Sequence, residues 1–356
     1  MTKRIYLHIG WEKTGSSSIQ TFCARNQKWL NDRNVHYPLM GRVPQHVELF
    51  FDLYAGYAQR IDRSKRAIQA EIRSCEQDKL IFSHESLHSC KPSIIADVFE
   101  GCDVRIVAYI RRPDAAFVSF FVTSIRYGLK PEDTLFKWMR AYTRQNLEHF
   151  DYYWALMDFV TQFGRDAVTV RHYHPEEMVG GQTVTDFMHL LGVDDLSESK
   201  WPEARSNLSL DADQFALALA FLKTYAGAPA HESAAAVHHI CNIMLKSSKS
   251  KPNPSRSVQM FVPHKLNQRL RTAWELSFDR LYNEFFESLR VFDLSDSTTD
   301  SQPYTGIPHA RAQELQHVFQ NAPSLPTSQL NTINRLIPQL TDRSTISENQ
   351  NQSPPT

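Results

Sequence analysis

Ile5-Tyr-Leu-His-Ile-Gly10-Trp-Glu-Lys13-Thr-Gly15-Ser-Ser-Ser-Ile19-Gln-Thr-Phe22 is the stretch on which the reading of this chain turns. An apolar, β-prone run from Ile5 to Ile9 stops at Gly10, a small polar loop carries Lys13 and Gly15, and Ile19, Phe22 and Cys23 follow at helical spacing. The pattern is a strand, a tight turn and a helix start. Backbone N–H groups of a first helical turn have no partner inside the helix, and the helix dipole adds partial positive charge there. Thr14 and the hydroxyls of Ser16, Ser17 and Ser18 crowd the same place, Lys13 brings a full charge, and Gly15 allows close approach of a ligand. An anion is the expected occupant. A Walker A loop is the obvious comparison, but there the lysine follows the second glycine directly, whereas Lys13 precedes Gly15 by two residues.

Outward from that turn, strand and helix patterns alternate. Asn34–Pro38 reads as a short strand, and a helical stretch runs from about Pro44 toward Cys75 with His46 at its start. Lys79–Ser83 is a buried-strand pattern ending in His84-Glu85-Ser86, two side chains expected to diverge if the strand continues through them. Val104–Ile110 runs into Arg111-Arg112-Pro113-Asp114, which opens a helix reaching about Tyr127. Val168–Tyr173 is a further strand, followed by a helix over Thr183–Leu191 that Gly192 stops. Alternation of this kind predicts an α/β fold with a central parallel sheet flanked by helices, and in such sheets ligands gather beyond the carboxyl ends of the strands. The Lys13 loop, His84-Glu85 and Arg111 each follow a different strand, so they are expected to converge.

From Glu203 the pattern becomes helical, over Leu210–Tyr225, His231–Leu245 and Lys265 to about Leu289, with a Ser/Lys/Pro/Asn-rich break at 247–255 expected to be a loop. Residues 1–292 are expected as one domain with this helical carboxyl-terminal portion. Residues 293–356, rich in Ser, Thr, Gln, Asn and Pro, are expected as a weakly ordered tail with short helices near Ala310–Phe319 and Gln329–Leu340.

Composition sets the bounds. The 356 residues are 42% apolar, with 21 Phe and 13 Tyr, enough for a sizeable core. Lys plus Arg equals Asp plus Glu at 39 each, which argues against a broad nucleic-acid surface and makes any anion site local. Five cysteines without Cys-x-x-Cys spacing suit a reduced compartment, and no apolar run approaches about 18 residues. The first strand pattern begins at once, leaving no room for a leader, so a cytoplasmic location is the expectation. No His/Asp/Glu cluster has metal-ligand spacing, and no metal is expected.

Lys13-Thr14-Gly15-Ser16-Ser17-Ser18 resembles the 5′-phosphosulfate loop of sulfotransferases that use 3′-phosphoadenosine 5′-phosphosulfate (PAPS), with serines where threonines are usual. Arg111, Pro113 and Ser119 match that family's Arg-x-Pro and following serine, which hold the 3′-phosphate, a task suited to arginine's fork of donors. Arg171-His-Tyr173, the Leu-Leu-Gly-Val ending at Val193, and Ala204–Leu210 are similar to segments of bacterial members. The resemblance covers residues 1 to about 290. It implies in-line transfer of a sulfuryl group from PAPS to an acceptor hydroxyl, on a small molecule or a glycan, carbohydrate or glycolipid, with Lys13 at the leaving phosphate. Glu85 is the implied base and His84 the second choice. Arg205, Asn207, His46 and Trp11 are lesser candidates for contacts. Two rivals stand beside this: a nucleotide kinase or hydrolase with an atypical loop, and a catalytically silent nucleotide-binding scaffold.

Overall fold

The structure, a computed structural model, describes residues 2–40, 46–127, 151–201, 210–247, 264–292 and 304–341, together with Asn253, Arg256 and Val258. In chain order its elements are β1 (Arg4–His8), α1 (Ser16–Arg25), α2 (Gln27–Asn31), β2 (Val35–His36), α3 (Val47–Ala55), α4 (Ala58–Ser74), β3 (Lys79–Ser83), α5 (Pro92–Val98) and β4 (Asp103–Ile110). There follow α6 (Pro113–Arg126), α7 (Tyr152–Phe163), β5 (Val168–His172), α8 (Thr183–Leu190), α9 (Ala212–Lys223), α10 (Ala230–Lys246), α11 (His264–Phe285), α12 (His309–Gln320) and α13 (Thr327–Leu340). Contacts divide the chain into two units, Met1–Ala116 with Glu148–Ser206 and Thr272–Asp293, and Phe117–Leu147 with Asn207–Arg271 and Leu294–Thr356. That division cuts across the expected boundary at residue 292.

The first unit is built on a five-stranded sheet of order β2-β3-β1-β4-β5, and every pairing is parallel. The expected α/β fold with a central parallel sheet is what forms. Its strands are buried on both faces, as a parallel sheet requires. Tyr6, Ile81, Val107 and Tyr109 pack under Ile19, Phe22 and Cys23 of α1 and Val184, Phe187 and Met188 of α8. On the other face Phe82 meets Phe99 edge-on, and α5 lies against α7.

Strand order and register position the site. From β1 the chain goes to β2 at one edge and returns to β3 beside β1, then crosses to β4 and β5 on the other side, so the carboxyl end of β1 is the point where the winding reverses. A crevice opens at such a point. His8 pairs with Ser83 and with Val107, and β4 then continues three residues to Ile110. At about 3.3 Å per residue that overhang is roughly 10 Å, which lifts Arg111 to the height of the loop that follows β1.

The helical stretch expected to run unbroken toward Cys75 is interrupted after Ala55 by Gly56 at φ 69°, so α3 and α4 are separate helices. In the second unit, Asp211 caps α9 reciprocally with Gln214, and Arg256 and Arg311 pair with Asp213 and Asp211. Residues 304–341, expected as a weakly ordered tail with short helices near Ala310–Phe319 and Gln329–Leu340, form α12 and α13 there. Leu315, Val318 and Phe319 of α12 and Ile333, Leu336 and Ile337 of α13 are buried, α13 packs on α9, and the Arg311–Asp211 pair anchors the first helix. The expected loop at 247–255 lies largely outside the described residues.

Candidate active site

The loop between β1 and α1 is held in an uncommon conformation. Gly10, Lys13 and Gly15 all take positive φ, at 68°, 67° and 87°. For the glycines this is free, but a side chain at such a φ costs about 1–2 kcal/mol, so Lys13 is strained by design of the loop. The loop closes on itself through the Thr14 hydroxyl, which donates to the Trp11 carbonyl at 2.5 Å, with Ser16 Oγ reaching the same oxygen at 3.5 Å. Gly15 stands in the N-cap position of α1 without a side-chain cap, so the first amides of the helix open toward the loop. Ser17 is exposed and Ser18 half-buried at this mouth. Gly15 also presses on α8, where a Cβ would lie 2.5 Å from Thr183 Oγ1.

Arg111 meets this loop. Its Nη1 stands 3.5 Å from the Lys13 carbonyl, at the outer limit of a hydrogen bond, and its guanidinium lies 5.7 Å from the centre of the Tyr173 ring. Its own carbonyl accepts from the Tyr152 hydroxyl at 2.7 Å. Tyr152 in turn packs edge-on against Trp11, which stacks on His88 and is 1% exposed. Trp11 is therefore a core aromatic under the loop, not a surface for adenine or acceptor. Ser119 lies half-buried on α6, in the second unit.

The loop after β3 is stitched to the loop after β1. His84 N–H donates to the His8 carbonyl at 3.1 Å and His88 N–H to the Ile9 carbonyl at 3.2 Å. Gly10 approaches so closely that a Cβ on it would fall 2.2 Å from Glu85 Cα. Glu85 and His84 diverge within this clamp. Glu85 turns toward α1, where Gln20 Nε2 donates to its Oε2 at 3.2 Å. His84 turns toward α3 and stacks on Phe50 with ring centres 4.6 Å apart. Burial lowers the His84 pKa, against the raising influence of Glu85 and Glu12, and its Nδ1 accepts the Ser86 N–H at 3.1 Å. One nitrogen of His84 is thus already committed as an acceptor.

His46, a lesser candidate for acceptor contact, is fully interior. Its Nδ1 accepts the Ser83 N–H at 3.0 Å, its Nε2 donates to the Pro38 carbonyl at 2.9 Å, and burial pushes its pKa down to about 4. It staples the chain before α3 to the end of β3. Arg171 is likewise structural: with the Tyr109 hydroxyl and the Val179 amide it surrounds the buried Asp186 carboxylate. Burial raises that carboxyl's pKa, and these three partners outweigh it. Arg205 and Asn207 lie outside the described residues. Sequence reading missed Gln20 and His8, buried polar side chains that face Ser83. The signal was only that an apolar face of α1 contains a glutamine one turn after Ser16.

A hollow of about 580 Å³, lined by Phe99, Cys102, Arg105, Gly164 and Arg165 among others, opens at the amino end of β4. It is at the opposite end of the sheet from the Lys13 loop. Chemistry in a parallel sheet belongs at the carboxyl ends, and the cations and the carboxylate are there.

No family model matches the chain, and no curated protein matches it. Among solved structures, the chain is similar to a sulfotransferase from Alicyclobacillus acidocaldarius, at 16% identity and a TM-score of 0.38, over 67% of this chain and 97% of that one.

Proposed function

We propose that this protein is a PAPS-dependent sulfotransferase acting on a hydroxyl of a carbohydrate or glycolipid. The observation that carries the reading is the meeting of Lys13, strained at the head of an uncapped helix, with Arg111 at the point where the sheet reverses its winding, beside a carboxylate. Two cations and a set of helix-end amides suit a ligand with phosphate at each end. Lys13, Gly15 and the Ser16–Ser18 turn would take the donor's 5′ end and Arg111 its 3′-phosphate, the task that the resemblance also gives Ser119.

PAPS supplies the activated sulfuryl group. The chain's work is alignment and charge. Lys13 and the first amides of α1 stabilise negative charge gathering at the loop. Glu85, held by Gln20, accepts the acceptor's hydroxyl proton. His84, neutral and stacked under Phe50, lines the other side, and Phe51 and Tyr54 continue an exposed aromatic face along α3. Ring faces bordered by polar tips suit an acceptor with apolar and hydroxylated sides.

The test is calorimetric titration with adenosine 3′,5′-bisphosphate and, in parallel, with ATP, followed by an acceptor screen with radiolabelled PAPS. Binding of the bisphosphate in preference to ATP supports the reading. Preference for ATP, or binding that ignores the 3′-phosphate, sinks it in favour of a kinase or hydrolase. Tight binding with no transfer to any acceptor favours the silent scaffold.

A further inference from the structure

Gln20 is fully buried on α1, and the phosphate-loop resemblance gives it no task. Its Nε2 lies 3.2 Å from Glu85 Oε2, 3.3 Å from Ser83 Oγ and 3.5 Å from the Ser83 carbonyl. Three acceptors fix which way the amide faces, because the reverse orientation would set Oε1 against a carboxylate and a carbonyl. Ser83 Oγ receives that N–H and is hydrogen-bonded to His8 Nδ1, 2.8 Å away. Burial pushes the His8 pKa down to about 3, so the ring that closes this chain is neutral.

This arrangement is costly to keep. Gln20 Oε1 and His8 Nε2 are buried with no hydrogen-bond partner among the described residues. Leucine or methionine would fill the place of Gln20 without an orphaned carbonyl. What the glutamine adds is a charge-assisted bond to Glu85 from the same helix whose first turn forms the anion loop.

We propose that Gln20 is a positioning residue, whose amide fixes the Glu85 carboxylate relative to the Lys13 loop through the Ser83 and His8 chain. The inference rests on Glu85 being the base. Anything that displaces α1 therefore displaces the carboxylate with it, so the two halves of the site keep their spacing.

The experiment is a double-mutant cycle on the full chain with Gln20→Leu, Glu85→Gln and both together. It measures release of adenosine 3′,5′-bisphosphate from saturating PAPS with methyl glycosides as acceptors, alongside calorimetric binding of the bisphosphate. Gln20→Leu is expected to lower kcat about 10- to 30-fold with the KM for PAPS changed less than about twofold, as for a group displaced by a fraction of an ångström. In the Glu85→Gln background the same substitution is expected to cost less than about threefold. A crystal structure of Gln20→Leu should show the Glu85 carboxylate moved from its place. Equal fractional losses in both backgrounds, or an unmoved carboxylate with full turnover, overturn the inference. Gln20→Met, unbranched like glutamine, repeats the cycle if the leucine variant does not fold. Wild-type protein that fails to bind the bisphosphate brings down the parent reading and this one with it. Binding with turnover intact in Glu85→Gln removes the base assignment, and Gln20 loses its role without touching the donor site.

Discussion

Replacing Lys13 separates two effects that the loop combines. At φ 67° a side chain costs about 1–2 kcal/mol, so Lys13→Ala loses the charge and keeps the strain, whereas Lys13→Gly loses both. Glycine returns roughly 0.4–1 kcal/mol of that relief through the greater freedom of its unfolded state. The net difference is about 0.5–1 kcal/mol in favour of Lys13→Gly. At about 2–4 °C per kcal/mol for a unit of this size, the glycine variant should melt about 1–4 °C above the alanine variant. Both should lose about 10²- to 10³-fold in kcat with saturating PAPS, the scale for removing one donor to a leaving group. Scanning calorimetry and a steady-state transfer assay read the two quantities on the same preparations. If the two variants melt together, the loop does not hold Lys13 in that conformation in solution. If either retains wild-type turnover, the ammonium has no part in the transfer, however strained its backbone.

Arg111→Ala should weaken binding of adenosine 3′,5′-bisphosphate by at least about tenfold while leaving adenosine 5′-phosphate nearly unaffected, since a lost charge-assisted bond is worth about 1.5–3 kcal/mol; equal weakening of both ligands in calorimetry removes the 3′-phosphate assignment. Gly10→Ala should destabilise the first unit by more than about 2 kcal/mol, because strain at φ 68° adds to a collision 2.2 Å from Glu85 Cα. Gly101→Ala, at φ 81° with open space around it, should cost only about 1 kcal/mol, and urea midpoints that rank the two the other way would contradict the loop contact. His8 and His46 are held neutral by burial, at about 3 and about 4 against an ordinary 6.5. The unfolded chain therefore binds protons that the folded one refuses, and stability present above pH 6.5 is lost as the pH falls. The loss should approach about 1.4 kcal/mol per pH unit for each histidine down to its folded value. Urea titrations at pH 7 and pH 5 should show it, and a flat profile between them would contradict the buried neutral state.

Much of the first unit was legible because its signals are local. A strand that stops at Gly10, a loop with Lys13 and Gly15, and the apolar run Val104–Ile110 each declare themselves within ten residues, and alternation with helices implies a parallel sheet. The convergence of Lys13 and Arg111 followed from topology alone. What escaped was long-range or compositional. Gln20 and His8 look like polar interruptions of apolar patterns until β3 brings Ser83 and Glu85 between them. His46 looked like a helix start and is a cross-link between chain segments, because only the fold brings Pro38 and Ser83 to its two nitrogens. The two short helices near Ala310–Phe319 and Gln329–Leu340 were legible from spacing, but their packing was not, because seven buried apolar residues sit in a polar background.

The three residues by which β4 outruns β1 act as a ruler. They set the height of Arg111 against the Lys13 loop by counting peptide units in a buried strand, which cannot stretch, rather than by the reach of a loop, which can. Deleting one residue between Val107 and Ile110 would lower Arg111 by about 3.3 Å against that loop and also turn it to the other face of the sheet. If the proposed donor site is right, the placing of its two cations is a property of a buried strand rather than of loop reach.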